Sequence, residues 1–245
     1  MLSIVIPTYN ERENLPLLVH QIQQTLLQAN IQGNLIIVDD NSPDGTGEIA
    51  ERLSQENEWI DVIHRPGKQG VTSAYLVGFQ KALENGADAV VQMDADFSHH
   101  PRYLPDFARL VQEYDLVLGS RYTAGGGTEG WSRWRWLLSR AGNEYARFVL
   151  GLPIADITGG YKCYRASMVR DLLQQNLSVR GFAFQIETIC WAWHAGYRIV
   201  ETPITFYERR AGHSKLSRGI FWEAFTTVWK LRVAYSPLSA GNSVL

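Results

Sequence analysis

Through the first half of the chain, short apolar runs alternate with longer amphipathic segments. Leu2 to Pro7, Leu35 to Val38, Val62 to His64, Ala89 to Met93 and Leu116 to Gly119 read as strands. Between them, Leu15 to Ala29, Gly47 to Asn57, Val71 to Asn85 and Tyr103 to Glu113 carry apolar residues at helical spacing. Pro16 and Pro101 fall near helix starts, where a missing N–H does no harm. Ile/Val-rich runs without polar alternation suit a mainly parallel sheet covered by helices on both faces. Right-handed crossovers then carry the strand C-termini to one edge, where open α/β sheets bind ligands. After residue 150 the rhythm changes: Tyr161 to Arg165 and Tyr197 to Phe206 read as later strands, with helices at Met168 to Gln175 and Gln185 to Ala195. No repeat or low-complexity linker intervenes. The expected organisation is one α/β unit over 1–213, followed by an amphipathic extension over 214–245.

Three polar segments follow strands and should meet on the ligand edge: Pro7-Thr8-Tyr9-Asn10-Glu11, Asp39-Asp40-Asn41-Ser42 and Asp94-Ala95-Asp96. Asp94 and Asp96 offer hard oxygen donors, and Mg²⁺ or Mn²⁺ takes few of these before completing its shell with water and substrate phosphates. The same two acids would also serve a solvated turn. Asp40 reads as a ligand to a base or ribose, and Asp44 as an Asx turn capping the next helix. Tyr9 offers a stacking face or a packing group, and Glu11 a ligand or a partner for the following helix N-terminus. In Arg65-Pro66-Gly67-Lys68-Gln69-Gly70, two cations and two glycines suit a phosphate, with Arg65 itself read as a solvated loop residue. Gly125 to Gly130 matches G-x-G-x-x-G, but follows the fifth strand instead of the first, so it reads as a hinge or lid. His99 and His100 lack a third soft ligand and read as packing or capping groups.

Five cations, Arg121, Arg135, Arg140, Arg209 and Lys215, would suit two phosphates, one on a donor and one on an acceptor. From Trp131 to Gly151, Trp131, Trp134, Leu137, Leu138, Ala141, Tyr145, Phe148 and Val149 interleave with Arg133, Arg135, Arg140 and Arg147. That pattern fits a helix lying in a lipid headgroup layer, and equally a core helix with a basic outer face. Ile220 to Tyr235 repeats it, and five of the eight tryptophans belong to these two segments. No run of about 18 residues is both uncharged and predominantly apolar, so a spanning helix is not expected. The composition, 45% hydrophobic and 20% charged, is that of a folded soluble protein. A formal charge of −2 gives no basic field for nucleic acid. Cys163 and Cys190 form no disulfide or metal pattern, which fits a reducing, cytoplasmic setting.

The ordered set Pro7-Thr8-Tyr9-Asn10-Glu11, Asp39 to Thr46, Met93 to Pro101, Gly119-Ser120-Arg121-Tyr122 and Gly212-His213-Ser214-Lys215 resembles family 2 glycosyltransferases, within them the dolichol-phosphate mannosyltransferase group. The resemblance runs from Ile4 to about Lys215. It implies a GT-A, Rossmann-like domain that moves mannose from GDP-mannose to a dolichyl or polyprenyl phosphate with inversion, using Mg²⁺ or Mn²⁺. It further implies nucleotide-sugar binding by Pro7, Tyr9, Glu11, Val38, Asp40, Asp94, Ala95 and Asp96, and a metal neighbourhood of Asp94, Asp96 and Ser98. Arg121, Arg209 and Lys215 match phosphate positions that act with Asp96 in catalysis, and Arg121, Arg135 and Arg140 would face the acceptor phosphate. Asn41 stands where many relatives carry Gly. The chain looks like the short form of the group, peripheral on the cytosolic face of a membrane or joined by a small anchoring subunit. A UDP-glucose-dependent polyprenyl-phosphate glucosyltransferase is the rival within the class, and a noncatalytic membrane-docking or regulatory subunit the rival outside it.

Overall fold

The computed structural model describes residues 1–175, 183–208 and 218–235, with residues 218–225 as backbone only. Nine strands and eight helices lie in these stretches: β1 (Leu2–Thr8), α1 (Leu15–Gln28), β2 (Gly33–Asp39), α2 (Thr46–Glu56), β3 (Ile60–His64), α3 (Val71–Glu84), β4 (Ala89–Gln92), α4 (Leu104–Leu110), β5 (Leu116–Ser120), β6 (Gly127–Glu129), α5 (Arg133–Leu150), β7 (Lys162–Arg165), α6 (Ala166–Leu173), α7 (Ala183–His194), β8 (Ile199–Pro203), β9 (Thr205–Tyr207) and α8 (Arg218–Ala234). The main sheet has seven strands in the order β3-β2-β1-β4-β7-β5-β8. All of its pairings are parallel except those of β7, which runs antiparallel to both β4 and β5. Because β7 reverses twice, β5 points the same way as β4 and delivers its C-terminus to the same edge.

The unbroken apolar runs are explained by burial on both faces. In β1, Ile4 and Ile6 join a core with α1, α2 and α4, whereas Val5 joins the opposite core with α3, α6 and α7. In β2, Leu35 and Ile37 face the first core, Ile36 and Val38 the second. The expected strands and crossover helices of the first half are all present.

Two later expectations are corrected. Tyr197 to Phe206 is two strands, β8 and β9, that join different sheets. Ile204 makes the transfer: its N–H donates to Ser120 O on β5 at 3.0 Å, and its carbonyl accepts from Gly127 N at 2.9 Å. The glycine run expected as a hinge or lid contains β6, paired in parallel with β9. A Cβ at Gly126 would lie 2.4 Å from Ser120 O, so close backbone approach requires that glycine. Helix α5 is also divided in character: only Asn143, Ala146 and Leu150 are buried, while Trp134 is 72% and Phe148 88% exposed. Its buried residues all fall in the C-terminal half, while Trp134, Leu137, Leu138 and Phe148 present an exposed apolar face along its length. No helix among the described residues is long and apolar enough to cross a membrane.

Two helical glycines bracket the packing tolerance. A Cβ at Gly78 on α3 would sit 2.2 Å from Val5 Cγ1, whereas one at Gly142 on α5 meets nothing within 4 Å. Gly78→Ala should therefore cost about 2 kcal/mol through overpacking, and Gly142→Ala should gain about 0.5 kcal/mol through backbone entropy. Urea unfolding of both variants checks the opposite signs.

Candidate active site

The polar loops after β1, β2 and β4 meet at one edge, held by side chains that bridge them. Asp39, fully inside, accepts from Thr8 Oγ1 at 2.9 Å, from Ser42 Oγ at 2.6 Å and from Ser42 N at 3.0 Å. It locks the ends of β1 and β2 together. Asp40 N then donates to Thr8 O at 3.1 Å, carrying the Asp40 carboxylate into the neighbouring loop. Glu11 sits at the start of α1, where Asn14 Nδ2 donates to its Oε2 at 2.7 Å. Asp44 forms the expected Asx turn, accepting from Thr46 N at 3.0 Å and Thr46 Oγ1 at 2.6 Å. Asn41 takes φ 56°, a left-handed conformation that Asn tolerates and that Gly would adopt without strain. The Val38 and Ala95 side chains are in the cores, so contact with a nucleotide from either would use backbone.

Both acids of the Asp94-Ala95-Asp96 turn accept hydrogen bonds at Oδ1. Tyr75, buried on α3, donates to Asp94 Oδ1 at 2.7 Å. Burial and the adjacent Asp94 push the Tyr75 phenol well above its ordinary pKa, so it stays a neutral donor. Asp96 Oδ1 accepts from Ser98 N at 3.0 Å and Ser98 Oγ at 2.5 Å. Between them Phe97 is forced to φ 64°, a strained conformation for a bulky residue and one that clusters at functional sites. Among the described residues no group of three or more His, Cys, Asp or Glu side chains stands as a metal cage. Two hard carboxylates oriented by hydrogen bonds fit a Mg²⁺ or Mn²⁺ ion that shares its shell with water and diphosphate oxygens. Ser98 has its hydroxyl turned to Asp96, the geometry of an orienting group.

His99 packs, as expected. Its Nδ1 accepts the Asp94 N–H at 3.0 Å, and its ring stacks on Tyr161 at 4.7 Å. That nitrogen lies 3.8 Å from Asp94 Oδ2, yet as an acceptor it carries no proton, so the contact is not an ion pair. His100 caps the short turn at Pro101–Tyr103, its Nδ1 accepting from Arg102 N at 3.1 Å.

Arg65 is the clearest correction at this edge. Instead of lying in solvent it is 6% exposed, with Nε 2.9 Å from Asp40 Oδ1. Burial raises the Asp40 carboxyl above its ordinary pKa, and Arg65 only partly opposes this.

The expected acceptor cations are gathered around two aromatic rings. Arg121 Cζ lies 5.9 Å from the Trp131 ring and Arg135 Cζ 4.4 Å from the same ring. Arg121 and Arg140 share Tyr122 in the same way, at 5.0 and 4.8 Å. None of the three is a bare cation. Arg121 is buried against Asp156, donating from Nε at 2.7 Å and Nη2 at 2.8 Å, with a further bond to Thr158 Oγ1 at 2.7 Å. Arg135 pairs with Glu208 and Arg140 with Glu144, each at 2.8 Å. The patch adjoins the acidic turn: Phe206 packs edge-on to His99 at 5.5 Å and to Trp131 at 5.4 Å, and Tyr207 N donates to Ser98 O at 3.3 Å. Arg209 and Lys215 lie outside the described residues, as does the proposed boundary at Ser214.

Sequence reasoning missed Tyr75, Asp156 and the Asp40–Arg65 contact. Tyr75 sits within an ordinary helical pattern and Asp156 in a loop with no motif, so only the fold reveals their partners. Behind the site, Lys162 is wholly buried on β7 and donates to Gln185 O at 2.9 Å. Burial lowers its pKa to about 7, with Asp156 pulling weakly the other way.

Comparison with solved structures places this architecture in the GT-A class. Mannosyl-3-phosphoglycerate synthase from Rubrobacter xylanophilus matches with a TM-score of 0.66 at 17% identity, over 100% of this chain and 76% of that one. Glucosyl-3-phosphoglycerate synthase from Mycobacterium tuberculosis, crystallised with Mn²⁺, UDP and glucosyl-3-phosphoglycerate, matches with a TM-score of 0.64 at 18% identity, over 96% of this chain and 79% of that one. At the level of sequence, residues 3–173 match the family described as glycosyl transferase family 2. An undecaprenyl-phosphate mannosyltransferase of Micrococcus luteus is 42% identical over 238 residues, 96% of either chain. A polyprenol monophosphomannose synthase of Mycolicibacterium smegmatis is 42% identical over 233 residues, 94% of this chain and 86% of that one. The chain belongs to glycosyl transferase family 2.

The Arg121–Asp156 pair gives a stability prediction. Burial alone would raise the Asp156 carboxyl, but the Arg121 guanidinium overrides it and leaves the pKa below the ordinary 3.8. A carboxyl depressed on folding stabilises above its unfolded pKa and loses that contribution as pH falls through its folded one. Asp156→Asn should cost about 3 kcal/mol at pH 7 by stranding a buried cation. Urea unfolding should show the gap from wild type narrowing only below about pH 4.

Proposed function

We propose that this protein transfers mannose from GDP-mannose to the phosphate of a polyprenol, forming a β-linked polyprenyl phosphate mannose and GDP. The observation that carries the reading is the junction of three features. The oriented Asp94/Asp96 turn adjoins the Arg121, Arg135 and Arg140 patch, and that patch leads onto the exposed apolar face of α5. The first feature suits a nucleotide diphosphate, the second a phosphate, the third a lipid. The names of the two 42%-identical relatives support mannose as the sugar and a polyprenyl phosphate as the acceptor.

The acceptor brings its own nucleophile. A phosphate monoester has its second pKa near about 6, so it attacks the anomeric carbon already ionised while the bond from that carbon to the GDP oxygen breaks. No side chain has to remove a proton. What the protein supplies is position and charge. Asp40 and the Tyr9 ring hold the nucleoside, Asp94 and Asp96 the diphosphate end, and Arg135 and Arg140 draw the acceptor phosphate toward the sugar. Arg121, clamped by Asp156, sets the aromatic wall between them. A divalent ion held by Asp94 and Asp96 would neutralise charge building on the departing diphosphate. The exposed Trp134, Leu137 and Phe148 would enter the headgroup layer beside the acceptor. The same reading puts the chain on the cytosolic face of a membrane, with a small anchoring subunit as its natural partner.

Replacing Asp96 with Ala should lower turnover of GDP-mannose and a short polyprenyl phosphate by about 100-fold or more, corresponding to the loss of a metal ligand. Near wild-type activity across a Mg²⁺ and Mn²⁺ titration would remove Asp96 from the metal site. For Arg135→Ala, one lost charge-assisted hydrogen bond should raise the acceptor KM about tenfold with the donor KM unchanged. Steady-state kinetics in both substrates separate the two.

A further inference from the structure

Residues 65–70, between β3 and α3, fold over the donor edge. The Gln69 N–H donates to the Asp40 carboxylate, and Lys68 Nζ lies 4.1 Å from the centre of the Tyr9 ring. Arg65 N donates to Asp39 O at 2.9 Å, fixing the start of the loop to the end of β2. The Arg65 side chain is the unusual element. It is 5% exposed, Asp40 is its ionic partner, and Nε, Nη1 and Nη2 all lack hydrogen-bond acceptors in the protein. Asp40 Oδ1 is likewise buried without a donor, because the 2.9 Å contact lies off the hydrogen-bond line.

The Arg121–Asp156 pair shows what a finished structural pair looks like in the same protein, with two parallel bonds and a third to Thr158. Buried polar groups in folded proteins almost always find partners. A buried guanidinium with three unmatched nitrogens, set against a carboxylate at the nucleotide edge, is therefore a site awaiting a ligand. Polar contacts at such sites are often misaligned before the ligand arrives and tighten afterwards.

We propose that Arg65 is a positioning residue for nucleotide recognition, holding the buried Asp40 carboxylate ionised and aimed so that it accepts hydrogen bonds from the base or ribose. The inference rests on the reading of Asp40 as a nucleotide ligand. The charged and polar groups facing Asp40 are Arg65, Lys68, Asp39 and the Gln69 N–H. Burial and Asp39 favour its neutral form, and Arg65 is the largest of the opposing influences. Without Arg65 the carboxylate should be protonated over a wider range of pH and lose its orientation.

The test is calorimetric titration of GDP in the presence of Mg²⁺ between pH 5 and 8, on wild type, Arg65→Gln and Arg65→Lys, with thermal melting of each. Comparison with wild type at each pH removes the titration of GDP itself. Arg65→Gln should weaken GDP binding about tenfold at pH 7 and move the acid limb of binding upward by about one to three pH units, the span of a neighbouring opposite charge. Arg65→Lys should keep the acid limb in place while binding more weakly, because an ammonium restores the charge without the planar fork. A folded Arg65→Gln that binds GDP like wild type with an unmoved limb overturns the proposal and leaves the donor reading intact. Wild type that binds no GDP overturns both. If Arg65→Gln fails to melt cooperatively, Arg65→Lys decides: weakened binding with an unmoved limb supports the proposal, and wild-type affinity overturns it.

Discussion

Strands β1, β2 and β4 are buried on both faces, so the polar chemistry they carry can stand only at their ends. Parallel pairing sends those ends to one edge, and the double reversal through β7 brings β5 to join them. Everything at the site depends on this convergence. It is made rigid by Asp39, which ties β1 to β2 through Thr8 and Ser42, and by Tyr75, which ties α3 to the acidic turn. The backbone strain at Phe97 lies in the same turn, between Asp96 and the Ser98 that binds it.

The second organising element is the aromatic wall around Arg121. The guanidinium is enclosed by Tyr122, Trp131 and Phe206, and its charge is matched by Asp156. Buried in this way, Arg121 serves less as a mobile phosphate clamp than as a rigid post, while Arg135 and Arg140 keep partly exposed guanidinium groups against exposed acids. An incoming phosphate can displace Glu208 or Glu144 at little cost, since such surface pairs are worth about 1 kcal/mol or less. Displacing Asp156 would be far harder. The division follows from depth alone, and it assigns different work to three arginines that look alike in sequence.

Much of the fold was legible because strands buried on both faces leave an unmistakable apolar run, and the crossover helices carry their own periodicity. The acidic turn, Asp40, the Asx turn at Asp44 and the packing of His99 could be read from their positions after strands. Where reading failed, the reason was tertiary. Arg65 looked like a solvated loop residue because nothing local shows that residues 65–70 fold back over Asp40. Tyr197 to Phe206 looked like one strand because the exchange between sheets at Ile204 depends on hydrogen bonds to β5 and β6, far away in sequence. The glycines at 125–127 and 130 signalled freedom, whereas Gly126 and Gly130 serve close approach to β5 and Glu208. Tyr75 and Asp156 carry no local mark at all, since a hydrogen bond to a loop distant in sequence leaves no periodicity.

The central claim is a sugar transfer from a nucleotide donor to a lipid phosphate at this edge. It is tested most directly by incubating the purified protein and Mg²⁺ with a short polyprenyl phosphate and, in parallel, GDP-mannose, UDP-glucose and UDP-mannose, with the lipid product read by mass spectrometry. GDP-mannose should give a polyprenyl phosphate hexose, with GDP released in equal amount and little product from the uridine donors. Product formed from UDP-glucose in preference to GDP-mannose, or no lipid product from any donor, would contradict it.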